Sequence, residues 1–104
     1  MNIFYLDKDP KIAAQMHCDK HVVKMVLEYA QILSTAHRVL DGDEVADREN
    51  LYKIAHKNHP STAWARLGRG NYNWLSDLWG HLGIEYHQRY GKIHKSSTLD
   101  WLFY

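Results

Sequence analysis

Residues Asp19 to Arg38 read DKHVVKMVLEYAQILSTAHR, and their residue types sort by angle more sharply than in any other stretch. At about 100° per residue, Lys20, His21, Lys24, Glu28, Gln31 and Thr35 gather in an arc of about 100°. His17 joins that arc if the helix starts one turn earlier. The rest of the circumference is apolar: Val22, Val23, Met25, Val26, Leu27, Tyr29, Ala30, Ile32, Leu33 and Ala36. A surface helix needs an apolar stripe only somewhat wider than about 100°, so this helix is expected at the centre of the molecule with neighbours on several sides. Its narrow polar stripe is either a thin solvated face or the floor of a cleft carrying histidines, lysines and a carboxylate. Half-buried groups of the second kind commonly have a task.

Outward from this helix the chain reads as all-α: one compact domain around a central buried helix (about 19–38), crossed by a long aromatic helix (about 71–90). Upstream, Ile3 to Leu6 is a short apolar segment, extended or a lone strand, that sets the N-terminus against the core. Asp9-Pro10 starts a short helix through Met16, because a carboxylate caps free amides and proline suits the first helical position. That helix is expected to bury Ile12, Ala13 and Met16, with Cys18 a small buried residue and Asp19 the cap of the next helix. Asp41-Gly42-Asp43 ends the central helix. Leu51 to His56 is expected to add a helical piece. In Asn58-His59-Pro60 the proline pushes His59 out of helical geometry, placing it at a turn before a helix over Ser61 to Leu67. Gly68-Arg69-Gly70 predicts tight backbone beside another element or a phosphate. From Asn71 onward Tyr72, Leu75, Trp79, Leu82 and Tyr86 form a core stripe that Tyr90 could extend, and Gly80 and Gly83 within it predict a close helix crossing. The basic run Arg89 to Lys95, with Lys92 and His94, suits the helix C-terminus. Residues 98–104 form an apolar tail that docks on its own domain or mediates a homo-oligomer.

Composition narrows the function classes. With 45% hydrophobic residues and 104 in all, the chain supports a modest core. No apolar run reaches the roughly 18 residues of a membrane span, and no signal-peptide pattern opens the chain, so a cytoplasmic protein without membrane contact is expected. The single cysteine excludes an internal disulfide and paired-cysteine metal sites. Net charge is +1, but residues 41–49 hold five acidic side chains against Arg48. Of 13 basic and 12 acidic residues, that leaves 12 and seven, a net +5 that permits a polyanionic partner.

The spacings allow two kinds of chemistry. His17 and His21 have the four-residue spacing of a metal-binding pair, but nothing marks a third ligand, so neither metal nor cofactor is expected. Lys24 and Glu28, also four apart, are a helical ion pair or an amine and a carboxylate set beside a sugar. An amine attacks an electrophilic carbon to form an imine, which a carboxylate supports. The α-amine of Met1 is a further candidate, since an α-amine titrates near 7.7–8.0 and keeps a neutral fraction at ordinary pH.

Three motifs in order, DKHVVKMVLEYAQIL, NHPSTAWAR and EYHQRYGKIHKS, resemble the pyrimidine-dimer DNA glycosylase family, which includes the phage endonuclease V type and small bacterial relatives. The resemblance covers roughly Ile3 to Lys95, with its best-matched positions at Lys20, Lys24, Glu28, Gln31 and Asn58-His59-Pro60. It implies a compact helical fold and a glycosylase and lyase in DNA repair, whose N-terminal amine attacks deoxyribose C1′ while Glu28 supports the imine. It further implies phosphate contacts by Lys20, Lys24, Arg66, Arg69, Arg89 and Lys92, and base stacking by Trp64. Asn2 departs from the small second residue the family exposes after methionine removal, so Met1 and Lys24 both stand as the nucleophile. The alternative expectation is a non-catalytic protein that binds a free nucleotide in the same cleft, using the tyrosines, tryptophans and histidines.

Overall fold

A computed structural model describes residues 2–98; Met1 and the apolar tail from Leu99 onward lie outside the described residues. The described chain is all-helical: α1 (Pro10–Gln15), α2 (Asp19–Asp41), α3 (Asp43–Arg48), α4 (Pro60–Ala65), α5 (Arg69–Tyr90) and a 3-10 turn (Lys95–Thr98). Its radius of gyration, 12.8 Å, is that of a compact chain of this length.

The two proline-marked helix starts form as the sequence predicts. Asp9 caps α1 by accepting from the Lys11 amide at 2.9 Å, and His59 caps α4 by accepting the Ser61 amide on Nδ1 at 3.1 Å. Cys18, rather than Asp19, is the residue before α2, and it is exposed. α2 runs three residues beyond Arg38 and stops at Gly42, whose φ of 92° is ready for glycine and strained for other residues. Gly91, at φ 71°, ends α5 in the left-handed conformation.

The core is a single cluster built from α1, α2, α4 and α5. On α2, Val22, Met25, Val26, Tyr29, Ile32, Leu33 and Ala36 are buried, and on α5, Leu75, Leu78, Trp79 and Leu82. The expected crossing of α2 and α5 is therefore present, and Trp79 locks it: its indole N–H donates to the Val26 carbonyl at 3.0 Å. α1 contributes Ala13 and Ala14, whose small side chains let it lie close against α5, while Ile12 and Met16 are exposed. The expectation that α2 is packed around two-thirds of its girth is too generous, since Val23 and Leu27 remain exposed beside the polar stripe.

The expected helix over Leu51 to His56 does not form. The carbonyls a helix would use there are taken from outside: Arg38 Nε donates to the Tyr52 carbonyl at 2.6 Å and Nη2 to that of Leu51 at 2.9 Å. The Thr35 hydroxyl meanwhile accepts the Ala55 amide at 3.1 Å. Arg38 also reaches Asp43 and Asp47, each at 3.0 Å, so one guanidinium ties the acidic segment to α2. Positive φ at Asn50 (58°) and His56 (48°) bounds the irregular stretch.

Trp79→Ala removes a fully buried indole and its hydrogen bond. Its expected cost is about 3–5 kcal/mol, a large part of the roughly 5–15 kcal/mol stability of a small domain. Urea unfolding followed by circular dichroism checks this: a midpoint within error of the parent would show that the crossing does not depend on Trp79.

Candidate functional site

The site forms where the N-terminal segment crosses the first half of α2. Tyr29 faces inward and its buried hydroxyl needs partners. It accepts the Phe4 amide at 3.1 Å and donates to His17 Nε2 at 2.8 Å. His17 Nδ1–H donates in turn to the Ala13 carbonyl at 2.7 Å, which fixes a neutral tautomer. Burial is the main cause that holds the His17 pKa below its ordinary value, against the bond to the Ala13 carbonyl and with the electrostatic influence of His21 and Arg89 adding to it. Burial likewise pushes the Tyr29 phenol up, reinforced by the charge of Glu28 against the bond from Phe4.

Phe4 thereby lies on α2. Its ring stacks on His21 at 4.4 Å and 15° and meets His17 edge-on at 5.7 Å. Its neighbours Ile3 and Tyr5 line a different surface, as alternate side chains of an extended segment do. Tyr5 stacks on Trp74 at 4.3 Å, Trp74 meets Trp64 edge-on at 6.2 Å, and the Trp74 indole N–H donates to the Lys8 carbonyl at 2.9 Å. Ile3, Tyr5, Pro60, Ser61 and Trp64 line a cleft of about 560 Å³.

Beside Phe4, Lys20, His21, Lys24, Glu28 and Gln31 share the outer face of α2, as the angular sorting predicts. Glu28 is the most constrained of them. Its side chain is 16% exposed, and Oε2 is closed off from solvent with no hydrogen-bond partner among the described residues. The Lys24 ammonium lies 3.5 Å from that oxygen on a side chain that is 62% exposed. This is an ion contact without hydrogen-bond geometry, and it leaves the carboxylate able to accept from an incoming donor.

The other candidate residues lie elsewhere. His17 is a correction to the angular reading: it precedes α2, turns inward and is buried by its two bonds. Arg89 is engaged within the fold, donating to the carbonyls of His17 (2.8 Å) and Gln15 (3.1 Å) and to Asp19 (3.0 Å) and Glu85 (3.1 Å). It clamps the α1–α2 junction onto α5, and these bonds hold its guanidinium to the fold. His59 is a helix cap, Asn58 and Lys92 are exposed, and His94 packs on Tyr86 while its Nδ1 accepts the Ser96 amide. Trp64 belongs to the aromatic cleft, and Arg66 and Arg69 to another cavity. Met1 lies outside the described residues. Among the described residues no group of three or more His, Cys, Asp or Glu is placed to hold a metal ion, and no helix is long and apolar enough to cross a membrane.

Sequence reasoning missed the roles of Phe4 and Tyr29, since both read as ordinary core aromatics. It also missed the chain in which His37 Nδ1 meets Asp41 at 2.7 Å and Nε2 meets the Tyr72 hydroxyl at 2.5 Å. The four-residue spacing of His37 and Asp41 was the available signal; the α5 partner was not. No family model, curated protein or solved structure matches this chain.

The burial of neutral His17 has a pH consequence. Unfolding exposes an imidazole of ordinary pKa, 6.5, which takes up a proton before the folded one does. The stability carried by His17 is therefore complete above that pH and is lost as pH falls through the lower folded value. The urea midpoint is expected to drop as pH falls below 6.5, and less so in His17→Gln. Equal slopes in the two proteins would remove His17 as the cause.

Proposed function

We propose that the protein is a base-excision protein of glycosylase and AP-lyase type, acting on damaged or modified pyrimidines in DNA. The observation that carries this reading is Glu28: a carboxylate oxygen shut off from water, without a hydrogen bond among the described residues, and beside an amine. Native proteins rarely leave a buried polar atom unpartnered without a functional reason. The resemblance of the DKHVVKMVLEYAQIL stretch to the pyrimidine-dimer glycosylase family supports the same assignment.

In this mechanism a neutral amine, of Met1 or Lys24, forms a bond to deoxyribose C1′ as the glycosidic bond breaks and its electron pair leaves with the base. Loss of an amine proton and opening of the sugar ring give a protonated imine, whose positive charge faces the Glu28 carboxylate. Abstraction of a C2′ proton then expels the 3′-phosphate. Phe4 is bonded to Tyr29, the residue next to Glu28, and three extended residues span at most about 11 Å. That span leaves Met1 within range of this face of α2, and the near-neutral pKa of an ordinary α-amine favours it over Lys24 as the nucleophile. The exposed Lys20 and Lys24 suit phosphate contacts, and the aromatic cleft on the other side of the N-terminal segment offers Trp64 for stacking on an extruded base.

Borohydride trapping on abasic-site DNA tests the imine step. A covalent adduct is expected, mapping by peptide analysis to Met1 or Lys24. Glu28→Gln is expected to retain its fold and melting temperature while trapping falls about 100-fold or more. No adduct beside a competent control enzyme would end the lyase reading, and an unfolded Glu28→Gln would make the carboxylate structural.

The aromatic cleft favours one second reading, a non-catalytic protein that binds a free nucleotide. A melting-temperature rise with a mononucleotide but none with DNA is its expected signature; a flat response to every nucleotide counts against it.

A further inference from the structure

We propose that a second cavity, between the C-terminal half of α2 and the start of α5, binds a phosphate monoester dianion. It encloses about 310 Å³ and is lined by His37, Asp41, Arg66, Gly68, Arg69 and Tyr72 over an apolar wall of α2 and α4. That volume lies at the small end of ligand pockets. His37 comes nine residues after Glu28, about 13 Å along α2 and half a turn around it. The cavity is thus on the far side of the helix from Glu28, and it stands or falls independently of the imine chemistry.

Three independent features give it an anion's chemistry. Arg66 lines the cavity, and its Nη1 is buried without a hydrogen-bond partner among the described residues. A buried charged donor left unmet costs about 1–3 kcal/mol or more, and an anion that draws the guanidinium onto itself supplies the missing acceptor. Arg69 adds a second, exposed guanidinium at the same mouth, and paired arginines match the geometry of a phosphate. The third feature is the start of α5, a 22-residue helix with neither a capping side chain nor an acidic residue in its first turn. A Cβ added at Gly68 or Gly70 would meet nothing within 4 Å, so no neighbouring side chain crowds the backbone at this helix start.

The one acidic residue in the lining does not oppose this. Asp41 accepts the His37 Nδ1–H, and His37 Nε2 accepts the Tyr72 hydroxyl, so the carboxylate is directed along α2 by a bond it already makes. Two guanidinium groups and a helix terminus suit a dianion better than a single backbone phosphodiester. The apolar wall gives room for a small organic body attached to it.

The test is a titration of the ¹⁵N-labelled full chain followed by amide shifts. Inorganic phosphate and thymidine 5′-monophosphate are expected to shift Gly68, Arg69, Gly70 and Tyr72 saturably, with a dissociation constant of about 1 mM or tighter. Thymidine itself is expected to leave them in place. Arg69→Gln, at an exposed position, is expected to weaken phosphate by about tenfold, and Arg66→Lys to weaken it with the fold intact. A 5′-phosphorylated oligonucleotide that binds more tightly than the mononucleotide, while its 5′-hydroxyl counterpart does not bind, would assign the phosphate to a nucleic-acid end; the reverse order would assign a free nucleotide. No saturable shift at these amides by about 10 mM phosphate, or an unchanged affinity in Arg69→Gln, would overturn the site.

Discussion

The structure depends most on one hydroxyl. Tyr29 is fully buried in the centre of α2, and its oxygen must be satisfied by groups that come to it. It is satisfied from two directions, by the Phe4 amide and by His17 Nε2. The first bond holds a segment without regular secondary structure against a helix, and the second fixes the turn by which α1 gives way to α2. Arg89 closes the same junction from α5 by bonding the free carbonyls of Gln15 and His17. A buried polar atom therefore organises three elements that apolar packing alone would leave free to slide.

Much of this was legible in the sequence because local chemistry dictated it. Asp9-Pro10 and His59-Pro60 carry their own capping groups, and the spacing of Leu75, Trp79 and Leu82 on α5 admits one face. Gly42 and Gly91 mark ends that need positive φ. What could not be read was set by partners distant in the chain. Leu51 to His56 has the composition of a helix, yet Arg38 and Thr35 claim its backbone groups. His17 has the right spacing for the polar stripe, yet the chain has already left helical geometry there, and burial beside Tyr29 decides its direction. Glu28, Lys24 and Gln31 lie on the face predicted, but the shielding of one carboxylate oxygen depends on surroundings that periodicity does not describe.

The sequence reading also joined residues that the fold separates. Lys24 and Glu28, Trp64, and the pair Arg66 and Arg69 belong to three surfaces, two of them flanking the N-terminal segment and the third beyond α2. A chain of modest net charge thus concentrates cations locally without becoming basic throughout. Its acidic side chains at Asp43 and Asp47 are drawn to Arg38 and so kept from the cationic surfaces.

The Arg38 guanidinium has a mechanical consequence as well. The stretch between α2 and α4 is fastened at Arg38 and Thr35, two sites one turn apart on the same helix, largely through side chains that grip its backbone. Two of its anchors thus sit on α2, and a third, the Tyr52 hydroxyl at 2.8 Å from Ser96 Oγ, ties its middle to the C-terminal 3-10 turn. Residues could be added or removed between the anchors and α4 without disturbing the α2–α5 crossing, since added loop length costs little. This is where the architecture has slack, and the place where a chain of this design can change its outline while its core stays fixed.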